Sequence, residues 1–122
     1  MKSTTRGFAA ALLFAAVGGW TGAASADHFT GTCGSELNAL ETAIQSGVFL
    51  GKNAATDRSN LLAKLEAAAA KIRLTKYDDA VDKLQNISDT ATVLAGAPKP
   101  KLGDASGING AVVSAIACVG IQ

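Results

Sequence analysis

Few side chains in this sequence could do chemistry, and their types and spacing narrow what that chemistry would be. His28 is the single histidine, and Cys33 and Cys118 are the two cysteines. Two thiols and one imidazole fall short of the four ligands of a structural zinc site. His28 has one other metal chemistry open to it. A chain beginning at Ala26 would read Ala26-Asp27-His28, with a free amine two residues before an imidazole. That set can wrap Cu(II) or Ni(II) in the tetragonal, nitrogen-rich geometry those ions favour. Against it stands an unstructured terminal histidine with no role, the ordinary condition of a chain end. The balance predicts no metal and no cofactor.

Asp78, Asp79 and Asp82 form the densest acidic cluster. They could hold a calcium ion or supply paired carboxylates for acid–base work. No calcium-loop spacing with a central glycine accompanies them. Acids at a helix start complement the helix dipole, and Asp79 stands four residues before Lys83, the spacing of a helical ion pair. The structural role is the expected one. Tyr77 is the single tyrosine and Phe49 one of few aromatics, too sparse for a stacking platform. Asn86-Ile87-Ser88 fits a glycosylation sequon formally but falls within a helical segment. Lys99 and Lys101 flank Pro100 in what reads as a solvated loop. No nucleophile elbow, SxxK pair, phosphate-binding loop or dinucleotide fingerprint occurs, so the chain is not expected to be an enzyme.

The elements that must position these residues begin after a leader. Lys2 and Arg6 form a positive start, Phe8 through Val17 an apolar run, and Ala24-Ser25-Ala26 a small-x-small cleavage site. This three-part pattern reads as a signal peptide over residues 1–26, with the mature protein starting at Asp27. The run is short of the roughly 20 apolar residues of a spanning helix, so no stable membrane insertion is expected after cleavage. Residues 27–122 make one domain, destined for the periplasm or the cell exterior. Cleavage leaves nine basic residues against ten acids. That balance gives no electrostatic footprint for nucleic acid.

Four stretches of the mature chain carry helical periodicity, and none alternates in the manner of a strand. The first, about Ser35 to Phe49, lines up Leu37, Leu40, Ile44 and Val48, with Ala43 beside them; Glu36, Glu41, Thr42 and Gln45 fall off that stripe. The second, about Thr56 to Arg73, lines up Leu61, Leu62, Leu65, Ala68, Ala69 and Ile72, with Asn53 or Thr56 as its cap. The third has Thr75 as N-cap of a capping box closed by Asp78, then Ala80, Leu84, Ile87, Ala91 and Leu94, and stops at Gly96 before Pro98. A stiff, solvated connector through Gly103 leads to the fourth, from Asp104 or Ser106 to Val119, with Ile108, Val112, Ala115 and Val119 in line. Short connections favour antiparallel neighbours, so the expected fold is an all-α, antiparallel four-helix bundle.

In such a bundle the start of the first helix and the end of the fourth share one end, which brings Cys33 and Cys118 together. An oxidising compartment favours a disulfide between them. Two free thiols or an intermolecular bridge are the alternatives, with Cys118 then a small apolar residue on its stripe.

The stretch from Gly47 to Val119 resembles the FIMAH domain, a small helical module of secreted bacterial and archaeal proteins. The resemblance is carried by Ser59-Asn-Leu-Leu-Ala-Lys-Leu65 with Ala68 and Ile72, by Lys76-Tyr77 with Ala80 and Leu84, and by Gly96 and the closing apolar helix. Thr75 stands where that family has a turn glycine, and Ile87 near the place of its usual phenylalanine. The resemblance implies an accessory helical module for binding or spacing, with no catalytic residues. Together these readings predict an exported, non-catalytic module that binds a protein partner of the cell envelope or secretome. The alternative is a carrier holding a small apolar ligand between its helices. An internal pocket would mark the carrier, and an exposed apolar patch the interaction module.

Overall fold

Apolar residues recurring every three or four positions cannot all leave water unless each helix turns its stripe toward a shared axis. The computed structural model realises that arrangement and describes residues 28–96 and 98–122. The leader and its cleavage site lie outside the described residues. Four helices follow in order: α1 (Gly34–Gln45), α2 (Ala54–Arg73), α3 (Tyr77–Gly96) and α4 (Ser106–Gly120). Each packs on the next, and α4 closes the ring against α1. Among the described residues there is no strand, only one isolated antiparallel bridge between Phe49 and Leu102.

The stripes meet in one core. Leu37, Leu40 and Ile44 of α1 are buried with Leu61, Leu65, Ala68, Ala69 and Ile72 of α2. Ala80, Leu84, Ile87 and Ala91 of α3 and Ile108, Val112, Ala115 and Val119 of α4 complete it. Leu65 and Leu84, on consecutive helices, thus share the same interior. Leu62, Leu94, Ala43 and Ile116 pack at its edge. A polar link joins α3 to α4 outside this core: Asn109 contacts Ser88 Oγ at 2.9 Å and donates to Thr92 Oγ1 at 3.2 Å.

Two ends close the bundle differently. At one end, Cys33 and Cys118 form a disulfide with Cα atoms 5.9 Å apart. It joins the start of α1 to the last turn of α4. At the other end the α1–α2 and α3–α4 connections pair with each other. Leu50 N–H donates to Lys101 O at 2.9 Å, and Gly103 N–H to Val48 O at 2.8 Å.

This pairing corrects two expectations. The first helix ends at Gln45 rather than running on to Phe49. Val48 leaves the stripe and is 63% exposed, while Phe49 is buried beneath the Arg58 guanidinium, 4.9 Å from its ring centre. The connector before α4 is not wholly solvated either, because Leu102 is fully buried. A chain that crosses the end of a bundle must plug it, and the short loop supplies the apolar residue that does so.

The turn between α2 and α3 also departs from expectation. Thr75 does not cap α3. It adopts φ +57°, in the left-handed region, and its hydroxyl donates to Leu74 O at 2.6 Å. Its N–H donates to Ile72 O and that of Lys76 to Lys71 O, both at 2.9 Å. This is the Schellman closure of α2, which places its left-handed residue one past the helix end. The stop signal of α2 has priority over the start signal of α3.

Candidate functional site

Glu41 occupies a position that an amphipathic helix normally gives to an apolar side chain. Contrary to the sequence-based expectation, it lies inside the stripe and is only 6% exposed. A buried carboxylate is costly unless paired. Its partner is His28, whose Nδ1 is 2.6 Å from Glu41 Oε2. The imidazole's Nε2 is 3.0 Å from Glu66 Oε2 on α2. His28 therefore bridges two helices through two carboxylates. Both hold its pKa above the usual histidine value of 6.5, chiefly through the hydrogen bond that the ring donates to Glu41.

The residue after it is fixed as firmly. Phe29 is buried, and its N–H and C=O both bond the Asn38 carboxamide, at 2.8 and 2.9 Å. Gly34 admits this segment: a Cβ there would come within 2.9 Å of Phe29 O. Among the described residues the chain is thus tied down from His28 onward, so His28 is not the unstructured, unpartnered histidine expected. One carboxylate on each ring nitrogen leaves the imidazole neither bare nor turned toward an open coordination position.

The other singled-out residues are placed less distinctively. Asp78, Asp79 and Asp82 are exposed on the first turns of α3. Asp79 stands 3.9 Å from Lys71 Nζ across the α2–α3 turn, rather than pairing along its own helix with Lys83. Tyr77 packs half-buried at the edge of the core. Asn86 is exposed within α3, next to the fully buried Ile87. Lys99 and Lys101 are exposed. Asp104 accepts from the N–H and Oγ of Ser106 at 2.9 and 3.0 Å, which anchors the start of α4 and lowers its pKa. Glu36 lies close to Cys33 and Cys118. Those sulfurs are bonded to each other, so the trio offers no thiolate to a metal.

The larger-scale feature is a division of the surface. Six charged residues fall on α2 and five on α3, against two on α1 and none on α4. Of the two on α1, Glu41 is buried and Glu36 partly so. The outward residues of α4 are Ser106, Gly107, Gly110, Val113, Ser114 and Ala117, flanked by Ile121. Val113 is 66% and Ile121 83% exposed, and open space lies over Gly107 and Gly110. The adjoining outward residues of α1 are Ser35, Ala39, Thr42 and Gln45. By contrast, the groove between α2 and α3 is polar, with Lys64, Lys71, Lys83, Asp79 and Asp82 along an open cleft of about 810 Å³.

The absence of charge from the fourth segment was readable in the sequence, though its stripe drew attention to the buried side only. The Glu41–His28–Glu66 bridge was harder to find, since it joins residues far apart in the chain. Its one local signal was a carboxylate between Leu40 and Ile44.

Compared with family models, with curated proteins and with solved structures, the chain matches none of them significantly. Among the described residues, no helix is long and apolar enough to cross a membrane.

Proposed function

We propose that this chain is an exported, non-catalytic interaction module, and that it docks a protein partner of the cell envelope or secretome on the side formed by α1 and α4. The observation that carries the reading is the nearly uncharged outer surface of those two helices, where Glu36 is the one partly exposed charge and Val113 and Ile121 stand in solvent. Exposed helix faces ordinarily carry charge, as α2 and α3 do here. A face nearly without it can be covered with little charge to desolvate, and charged residues are depleted at the cores of protein interfaces. Glycine and alanine let a partner's backbone approach closely. The disulfide joins the two helices of this side, so the platform is pre-organised and little ordering entropy is lost on binding.

Other features support the same reading. A disulfide-bonded domain suits the oxidising compartment to which the leader would send it. The single imidazole is engaged with two carboxylates, which supports a non-catalytic role. Core positions along all four stripes are filled, which weighs against a carrier that keeps a ligand between its helices.

The test is capture from an envelope or secreted fraction by three forms of the protein: the native chain, Val113→Asp and Lys83→Glu. Both sites are solvent-exposed, so each substitution should change stability by no more than about 0.5 kcal/mol. A partner held by the native chain and by Lys83→Glu, but lost by Val113→Asp, is the expected result. Loss by Lys83→Glu with retention by Val113→Asp would place docking on the charged side and overturn the reading.

A further inference from the structure

Residues 28–32 lie as a strap beside α1 and α2, and His28 is its outermost fastening. The two ring nitrogens face two different carboxylates, Glu41 Oε2 at 2.6 Å and Glu66 Oε2 at 3.0 Å. A neutral imidazole carries one N–H and can donate to only one of them; the imidazolium donates to both. Glu41 makes the choice consequential. It is buried, its Oε1 has no hydrogen-bond partner among the described residues, and His28 is the contact of its Oε2. The strap also forms one wall of a cleft of about 530 Å³, floored by Leu37, Ala69 and Ile72.

We propose that His28 is a proton-operated clasp: doubly protonated, it holds the strap across α1 and α2, and on losing a proton it lets the strap lift from the cleft. The proposal is independent of the docking reading. The charged and titratable groups around His28 are Glu41 from α1 and Glu66 from α2, with Arg73 of α2 and Tyr77 of α3 farther along the cleft. The two carboxylates raise the histidine's pKa, so the clasp is fully closed below 6.5 and opens as pH rises through that raised value. Release therefore lies on the alkaline side. Phe29 and its Asn38 bonds are what the clasp protects, because they are the next attachment along the strap.

The experiment is nuclear magnetic resonance on the disulfide-intact protein beginning at Asp27, labelled with ¹⁵N. His28 ring nitrogen shifts follow the proton directly and separate it from the α-amino group, which titrates near ~7.7. Exchange protection of the Phe29 amide, corrected for intrinsic base catalysis, follows the strap. Protection is expected to fall about tenfold or more through the His28 titration, while the Leu65 amide, mid-helix in the core, keeps its own. His28→Gln should abolish the step at Phe29. Glu41→Gln should lower the His28 titration more than Glu66→Gln does. A His28 that titrates at or below its ordinary value would overturn the proposal. So would Phe29 protection that is flat through the titration, or a step that persists in His28→Gln.

Discussion

The two halves of this bundle are held and surfaced in opposite ways. On one side α1 and α4, distant in sequence, are joined by the Cys33–Cys118 disulfide and present an outer surface almost without charge. On the other, α2 and α3 are consecutive, joined by a tight left-handed turn at Thr75, and carry most of the charge. Val93 of α3, 70% exposed, is an apolar exception on that side. A hairpin of two 20-residue helices gains its pairing from proximity in the chain and from extensive packing. The α1–α4 pair must close the whole chain into a ring, and loop-closure entropy opposes it. The covalent link is placed where the topology offers least local help. What the comparison teaches is that one side is built for solvation and the other is held rigid while left bare.

The largest effect expected from breaking this asymmetry is loss of the staple. The disulfide spans a sequence separation of 85 residues. For a loop of that size the chain-entropy account gives about 4.5 kcal/mol, with strain or residual structure in the unfolded chain reducing it. Replacing both cysteines with alanine should therefore remove several kcal/mol in a denaturant melt, out of a total that for such a domain is about 5 to 10 kcal/mol. Hydrogen exchange should quicken first in α1 and α4. Equal quickening in all four helices would mean that the two sides fold as one unit and that the staple favours neither.

The next effect tests what the halves share. Leu65 of α2 is 1% exposed and packs in the common core with Leu84 of α3. Leu65→Ala should cost about 2 to 5 kcal/mol, from lost burial plus the cavity left behind. A loss below about 0.5 kcal/mol would mean that the α2 stripe contributes as little as a surface position does.

Much of this was legible in the sequence because periodicity is a local signal. The four stripes and the antiparallel ring follow from spacing and connection length, and the cysteine pairing from that topology together with the compartment the leader implies. What escaped depends on contacts between distant residues. Leu102 reads as part of a solvated connector and Phe49 as the end of a helix, and both become core because two loops meet at one end. Glu41 reads as a polar residue beside the stripe, and only its pairing with His28 makes burial tolerable. At Thr75 two local rules conflicted. A threonine three residues before an aspartate signals a helix start, yet the end of α2 claims the same residue for its closure. The bare outer face of α4 was present in the composition of that segment, but a stripe analysis asks what faces inward.

The conflict at Thr75 yields the smallest predicted effect, and it sharpens the comparison on the α2–α3 side. Left-handed backbone costs an ordinary L-residue roughly 1 to 2 kcal/mol because Cβ crowds the following carbonyl. A β-branched residue there is less favourable still. Glycine avoids that cost but brings about 0.5 to 1 kcal/mol of additional unfolded-state entropy. Thr75→Gly would also remove the hydroxyl that donates to Leu74 O, an exposed bond of small net value. The balance favours glycine, and Thr75→Gly should stabilise the protein by about 0.5 kcal/mol. Thr75→Ala keeps the Cβ but removes the β-branch and the hydroxyl together, two small effects of opposite sign, so it should be near neutral. Paired thermal melts of the two variants separate the backbone from the hydrogen bond. If alanine stabilises as much as glycine, the cost at Thr75 lies in its side chain and not in the left-handed backbone. If both destabilise, the hydroxyl bond to Leu74 is the stronger element of the turn, and the hairpin side is held by a side-chain contact as specific as the disulfide opposite.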